Sequence, residues 1–468
     1  MKETVDEVLT DPTKKNKEPP VPSKMHGVVI SKYGSVRVLE YSKSLSTKPL
    51  YQEFMARPGN VVIKIHCAAV NRLDVNIRTG ALYESYFPQL PHILGKDASG
   101  VVVLCGSAVK KFKVGDPVFG FLPQLVPSTG TYCEYSVFDE SYLALKPENV
   151  SFAEAAALPL SGSTAYECLT TYGKPLKSDD KKPRHLFIYG ASGGVGIIAI
   201  QLAKLLQCSV TVACSSGAID VCKSYGADSA LDIEGPSLLN SIQSKIDVAI
   251  DCVGKLPEYI GEYMSTGGKI ISLVGRGMFG NIAKNILGWF GGFSYEFPTI
   301  NPNGNILAEL GRLVSEKKLR IPIEQVYPLS DIGNAHEHLM DSEKKKIGKI
   351  IIDISQQSGT SHRKASSSEK DPDNFERSNN VEVQMNSNAS ILSSSGSIAN
   401  KDMENTIVSG KGGQDVGGKS ALGPEESESD VTDLIIDSQK HLGTKQGDSG
   451  KKNDDIGSYK DLENINKI

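Results

Sequence analysis

Residues 186–207, LFIYGASGGVGIIAIQLAKLLQ, set a short β-branched and aromatic run, a glycine cluster and an apolar helical repeat in immediate succession. A strand that breaks through glycines straight into a helix is the geometry of a dinucleotide-binding turn. Gly190 lets the chain bend off the strand, Gly193 and Gly194 bring backbone N–H groups near a pyrophosphate, and Gly196 lets the helix pack on the sheet. The helix start then turns its partial positive charge on the phosphates, and Ser192 and Val195 complete the set of cofactor-binding positions. Glycines recur in any tight strand-to-helix turn, so the weight rests on the strand and helix that flank this one.

Around that turn the pattern changes twice. Between Met25 and about residue 155, short runs such as MHGVVI, NVVIKIHCAAV, SGVVVLCG and TYCEYSVF are separated by glycine, proline and charged turns, which predicts a small β-barrel domain. Over 156–300 strands and helices alternate, the signature of a doubly wound parallel α/β sheet; AEAAALPLSGSTAYECLTTYG reads as a helix at its start, and another is expected near SLLNSIQ. Over 301–355 a helix in NILAELGRLVSEKKL, a strand around IEQVYPL, a helix from Asp331 and a closing strand GKIIIDI are expected to return to the first domain and make it discontinuous.

Only 39% of the 468 residues are hydrophobic, too few for a chain packed throughout, and the deficit is local. Residues 356–468 are rich in Ser, Asn, Gly, Lys, Asp and Glu, which cannot offset the entropy of ordering, so a disordered tail is expected there. Two stretches in it suit a protein partner or a kinase: PEESESD, with Ser427 three residues before Asp430, and VTDLIIDSQKHL. Residues 1–24 read as a flexible segment that carries acids and no arginine, the pattern of neither a secretory signal nor a mitochondrial presequence. Eight scattered cysteines look like small buried hydrophobes in a reducing compartment, which points to the cytoplasm. The net charge of −4 mixes both signs and offers no basic field for nucleic acid, and no stretch is long and apolar enough for a membrane span.

Cofactor choice turns on the end of the second strand of the alternating region. After TVAC come Ser215, Ser216 and Gly217, with no acid until Asp220, where an NAD enzyme would place a carboxylate for the ribose hydroxyls. NADPH is therefore favoured, with Ser215 and Ser216 as hydroxyl donors; Lys223 reads either as a counter-charge or as a solvated surface lysine.

The segments VNRLDVNIRTG, LPHILGKDASGVV, FKVGDPVFGF, GTYCEYSVF, AAALPLSGSTAY, GASGGVG and YGADSALD together resemble the medium-chain dehydrogenase/reductase superfamily, in its zinc-free quinone oxidoreductase branch. Within that branch VSEKKLRIPIEQVYPLSDIGNAHEHL and GKIIIDI are most similar to the reticulon-4-interacting protein group. The resemblance implies a GroES-like catalytic domain around a Rossmann domain, an active site in the cleft between them, and mitochondria as an alternative location.

Zinc enzymes of the superfamily have a cysteine where this chain has Asn71 and a histidine where it has Lys96, and neither substitute is a zinc ligand; His66 and His92 stand alone, so no metal is expected. Without a Lewis acid the acceptor must itself be electron-poor, which suits a quinone or an α,β-unsaturated carbonyl (an enone) held about 3–3.5 Å from the nicotinamide. By resemblance Asn71 lies near the nicotinamide, Tyr83 stands where related enoyl reductases carry a proton-donating tyrosine, Thr164 lies near the ribose-phosphate, and Val274 and Gly275 end a strand beside the nicotinamide. The bland alternatives are a loop hydrogen bond for Asn71, an amphipathic wall for Tyr83 with Tyr86 competing, and a helix-start hydroxyl for Thr164. Asp74 and Arg78 suit an ion pair or a wall of the cleft, and Asp97 a loop-organising carboxylate. The aromatic segment 278–297 around Trp289 suits an apolar wall, a peripheral membrane or partner surface, or a homodimer contact, and a monomer stays open. An interaction protein that keeps the fold without turnover is the competing reading.

Overall fold

A computed structural model describes residues 20–81, 89–123, 130–173, 183–235, 238–274, 288, 291–341 and 346–355. The tail, most of the N-terminal segment, Tyr83, Tyr86, Gly275 and Trp289 lie outside the described residues. Those described belong to one compact unit.

The alternating region forms a six-stranded sheet, parallel throughout, in the order Ser229–Asp232, Ser209–Cys214, His185–Tyr189, Ile246–Asp251, Met264–Ser272, Ser294–Glu296. Its central strand HLFIY is buried along its whole length, as expected of a sheet covered on both faces. From His185–Tyr189 the chain winds first to one side and then to the other. Ligand crevices in open α/β sheets lie beyond the carboxyl ends of the strands at such a reversal, and there Gly190–Gly196 leave the sheet.

The other half is a seven-stranded sheet built around the long strand Asn60–Val70, with a three-stranded sheet beside it. The last strand, Lys349–Asp353, pairs antiparallel with that long strand, Ile350 opposite Val70 and Asp353 opposite Cys67. The chain thus returns to its first sheet after the parallel one. Helices Phe152–Ala157, Pro159–Glu167 and Gly304–Ser315 lie between the halves, and one apolar core joins Phe119, Phe121 and Ile351 to Ile198, Leu202 and Leu310. Full burial of each such side chain contributes about 1.5–3 kcal/mol, so the halves are held as one body.

Local chemistry moves some expected boundaries. The helix expected at 153–173 is two helices, because Pro159 has no N–H to continue the first and suits the first turn of the second; Ser151 and Glu154 cap the first reciprocally. After Glu167 a π-helical turn, Cys168–Tyr172, closes the segment. SLLNSIQ yields only a 3-10 turn, Leu239–Ser241. Among the described residues no helix is long and apolar enough to cross a membrane.

Candidate functional site

At Gly190 the backbone adopts φ 81°, a left-handed conformation that favours glycine, and a Cβ there would stand 2.7 Å from Val253. Gly190 and Ala191 donate their N–H groups to Ala213 O, at 2.9 and 3.1 Å, which ties the turn to the neighbouring strand. Helix Gly194–Leu205 then begins with Gly193 as its N-cap and no side chain capping it; a bridge to Gly348 lies against that start, and the remaining N–H groups of the first turn are met by no side chain. The glycines have separate reasons. A Cβ on Gly193 would meet nothing within 4 Å, one on Gly196 would stand 2.5 Å from Ala191 Cα, and one on Gly194 would stand 2.6 Å from Lys349 Cδ. Gly193 faces open space, Gly196 packs the helix on its own turn, and Gly194 makes room for a lysine.

All the strands of this sheet run the same way, so their following loops share one edge. Asp251, 1% exposed, accepts N–H groups of Val253, Gly254 and Leu256 and fixes that loop. Val253 and Val274 are exposed there, 43% and 38%, an apolar ledge beside the glycine turn. Ser215 is half-buried, while Ser216 and Lys223 are exposed. The register also pairs Cys214 with Asp232 of the next strand, which puts a carboxylate beside the serines that a reading of the second strand alone does not reveal. Thr164 lies within helix Pro159–Glu167, where its hydroxyl donates to Leu160 O at 2.7 Å.

Beyond the glycine turn, around Asn71, the chemistry is carried by buried side chains. Asn71 opens helix Arg72–Thr79, and its backbone N–H donates to Asp74 Oδ2 at 2.9 Å, the same oxygen that accepts the Tyr132 hydroxyl at 2.9 Å. Burial pushes the Asp74 carboxyl up to about 6, and these two bonds partly oppose the shift. The Asn71 side chain donates from Nδ2 to Asp97 Oδ2 at 2.9 Å and accepts the Lys349 ammonium at Oδ1. Lys349 also reaches Asp97 Oδ2 at 3.4 Å, and Asp97 Oδ1 accepts the N–H of Leu160 at 2.8 Å. Asp97 is fully buried; burial raises its carboxyl, and Lys349 is the largest opposing influence. It is thus no mere loop organiser, because it holds both halves of the chain. Lys96 donates to Pro123 O at 3.0 Å and is 1% exposed, and burial lowers its ammonium to about 8. Asp74, Asp97 and Lys349 therefore hold Asn71 in a buried corner, with Lys96 near Asp74.

The expected Asp74–Arg78 ion pair is not formed. Arg78 Nη1 donates instead to Gly34 O at 2.7 Å, while Asp74 takes Asn71 and Tyr132. His66 stacks on Phe152 with ring centroids 4.2 Å apart, and His92 is buried with its imidazole lowered to about 4, chiefly by burial. Among the described residues no group of three His, Cys, Asp or Glu side chains is placed to hold a metal ion. Lys349, Tyr132 and Asp232 were missed at the level of sequence. Only Lys349 leaves a signal there, as a charge heading the apolar strand KIIID.

The alcohol dehydrogenase GroES-like domain family matches residues 57–148, and the zinc-binding dehydrogenase family matches residues 225–352. The spinach (Spinacia oleracea) chloroplastic quinone-oxidoreductase homolog is 32% identical over 338 residues, 70% of this chain and 98% of its own. The human (Homo sapiens) mitochondrial NAD(P)H oxidoreductase RTN4IP1 is 29% identical over 361 residues, 70% of this chain and 88% of its own. The solved quinone oxidoreductase from Coxiella burnetii superposes with a TM-score of 0.61 at 27% identity, over 71% of this chain and 99% of its own.

Proposed function

Because the chain belongs to the quinone oxidoreductase branch of the medium-chain dehydrogenase/reductase superfamily, we propose that it is an NADPH-dependent, zinc-independent reductase of quinones or α,β-unsaturated carbonyls. The carrying observation is the uncapped start of helix Gly194–Leu205, which faces open space at Gly193 beside the Val253 and Val274 ledge. A dinucleotide fits that combination, since its pyrophosphate needs N–H donors and its nicotinamide an apolar seat.

A bound reduced nicotinamide would supply the hydride. The backbone of Gly193, Gly194 and Val195 would hold the pyrophosphate, with Gly190, Ser192 and Gly196 shaping the turn. Ser215, Ser216 and Lys223 would take the 2′-phosphate against the opposing charge of Asp232. Thr164 would flank the ribose, and Val274 with Gly275 the ring. Asn71 would orient the nicotinamide, and Tyr83 would return a proton to the reduced acceptor. Zinc independence is supported by Asn71 and Lys96 at the positions of the resemblance where ligands stand, both already committed to protein partners. The same reading carries a domain division near residues 155 and 300, a monomer or homodimer in the cytoplasm or mitochondria, and a tail from 356 that binds a protein partner.

One observation favours the non-catalytic reading: both donors of the Asn71 amide are engaged, with Asp97 and, at 3.4 Å, Ala69 O. The two readings separate on chelator-treated protein. The reductase is expected to bind NADPH at one site per chain and to oxidise it when a quinone is added; tight binding without turnover on any quinone or enone would leave the scaffold.

A further inference from the structure

Lys349 touches both the glycine turn and the Asn71 corner. Its stem lies on the glycine turn, as the 2.6 Å approach of Cδ to a Cβ built on Gly194 shows, and the residue before it is fastened there by Gly348 N–H to Ser192 O at 3.0 Å. Its ammonium lies at the opposite corner, where it donates to Asn71 Oδ1 at 2.5 Å, Val70 O at 3.3 Å and Asp97 Oδ2 at 3.4 Å. Three acceptors match the three donors of an ammonium, and the side chain is 5% exposed. The nearest carboxylate, Asp97, is shared with Asn71 and Leu160, so it holds the lysine with one oxygen that a second donor already uses.

We propose that Lys349 is a positioning residue that couples cofactor seating to the Asn71 amide: a pyrophosphate at the Gly193 turn draws the ammonium off Asn71 Oδ1, which is then free to accept a carboxamide N–H of the nicotinamide. The anion would add two negative charges beside a stem that already lies on the turn, against one shared carboxylate oxygen. Asn71 thereby becomes available only when the phosphates are in place, which reconciles its engaged amide with a role at the ring. This deepens the reductase reading and rests on it.

The test uses the full chain with two ligands, NADPH and 2′-phospho-ADP-ribose, which keeps the pyrophosphate and lacks the nicotinamide; binding is followed by calorimetry. Lys349→Met is expected to weaken both ligands by at least about tenfold. Asn71→Ala is expected to tighten 2′-phospho-ADP-ribose in the wild type, because the ammonium no longer has to leave the amide, to leave it unchanged in the Lys349→Met background, and to cost at least about threefold more NADPH affinity in that background than in the wild type, because only there is the amide free beforehand. Equal costs in the two backgrounds would overturn the coupling. If the methionine variant does not fold, Lys349→Arg serves: its broader cation is expected to stay on the pyrophosphate, to keep 2′-phospho-ADP-ribose affinity within about threefold, and to show the same enlarged cost of Asn71→Ala. Equal costs there overturn it too. Wild-type protein that binds neither ligand would instead refute the reductase reading.

Discussion

The glycine turn and the Asn71 corner are joined by the Lys349 side chain and are built from opposite materials. The turn is backbone: an open N-cap, a left-handed glycine and N–H groups without a side-chain cap. The corner is side chain: Asp74, Asp97 and Lys349, all buried and bonded to Asn71, with buried Lys96 near Asp74. A backbone site tolerates change in its neighbours but no bulk at its own Cα. A buried charge cluster tolerates little, because removal of one member strands another.

Substitutions on the two sides should therefore fail differently. Gly193→Asp puts a carboxylate into open space at an ordinary backbone conformation, so NADPH affinity is expected to fall by more than about 100-fold while the melting temperature barely moves. Parallel binding and melting measurements check this, and retained affinity would break the contrast. Asp97→Asn is expected to behave in reverse. It leaves the Lys349 ammonium buried without a carboxylate and should cost about 3 kcal/mol of stability by urea unfolding.

Acid sharpens the same contrast. His336 is fully buried with both ring nitrogens unpartnered among the described residues, and burial with the nearby Arg78 lowers its imidazole to about 3. The folded-state value lies below the ordinary 6.5, so the unfolded chain binds more protons in that window and stability falls as pH drops from 6.5. Linkage puts the loss at about 2 kcal/mol by pH 5, and His336→Leu should remove that share of the slope in urea titrations at several pH values. Asp74 works the other way, since its raised carboxyl destabilises the fold above its ordinary range and relieves it as pH falls below about 6.

Smaller effects are expected along the phosphate edge. Asp232→Asn removes the carboxylate paired in register with Cys214 and should raise NADPH affinity relative to NADH by about threefold, as competition binding would show. A chain ended after Ser355 is expected to bind NADPH as the full chain does; a large loss would show that the remaining residues belong to the fold.

The turn was legible in sequence because its parts are contiguous: strand, glycines and helix follow one another within 186–207, and the change of period on either side reveals the parallel sheet. The corner was not, because residues 71, 74, 97, 132 and 349 meet only through the pairing of the last strand with Asn60–Val70 and the packing of Pro159–Glu167 beneath Asp97. Asn71 and Asp97 could be singled out one at a time, but their bond could not. Asp74 and Arg78, four apart on one helix, suggested a pair that burial and better partners forestall. Asp232 escaped notice because its neighbour in space, Cys214, is eighteen residues away across a strand crossover.

The most direct measurement follows deuterium from C4 of labelled NADPH into the product of an α,β-unsaturated ketone, with metal removed. Direct hydride transfer predicts one deuterium on the β-carbon for each NADPH oxidised. Oxidation that leaves the carbon unlabelled, or that stops when metal is withdrawn, would contradict it.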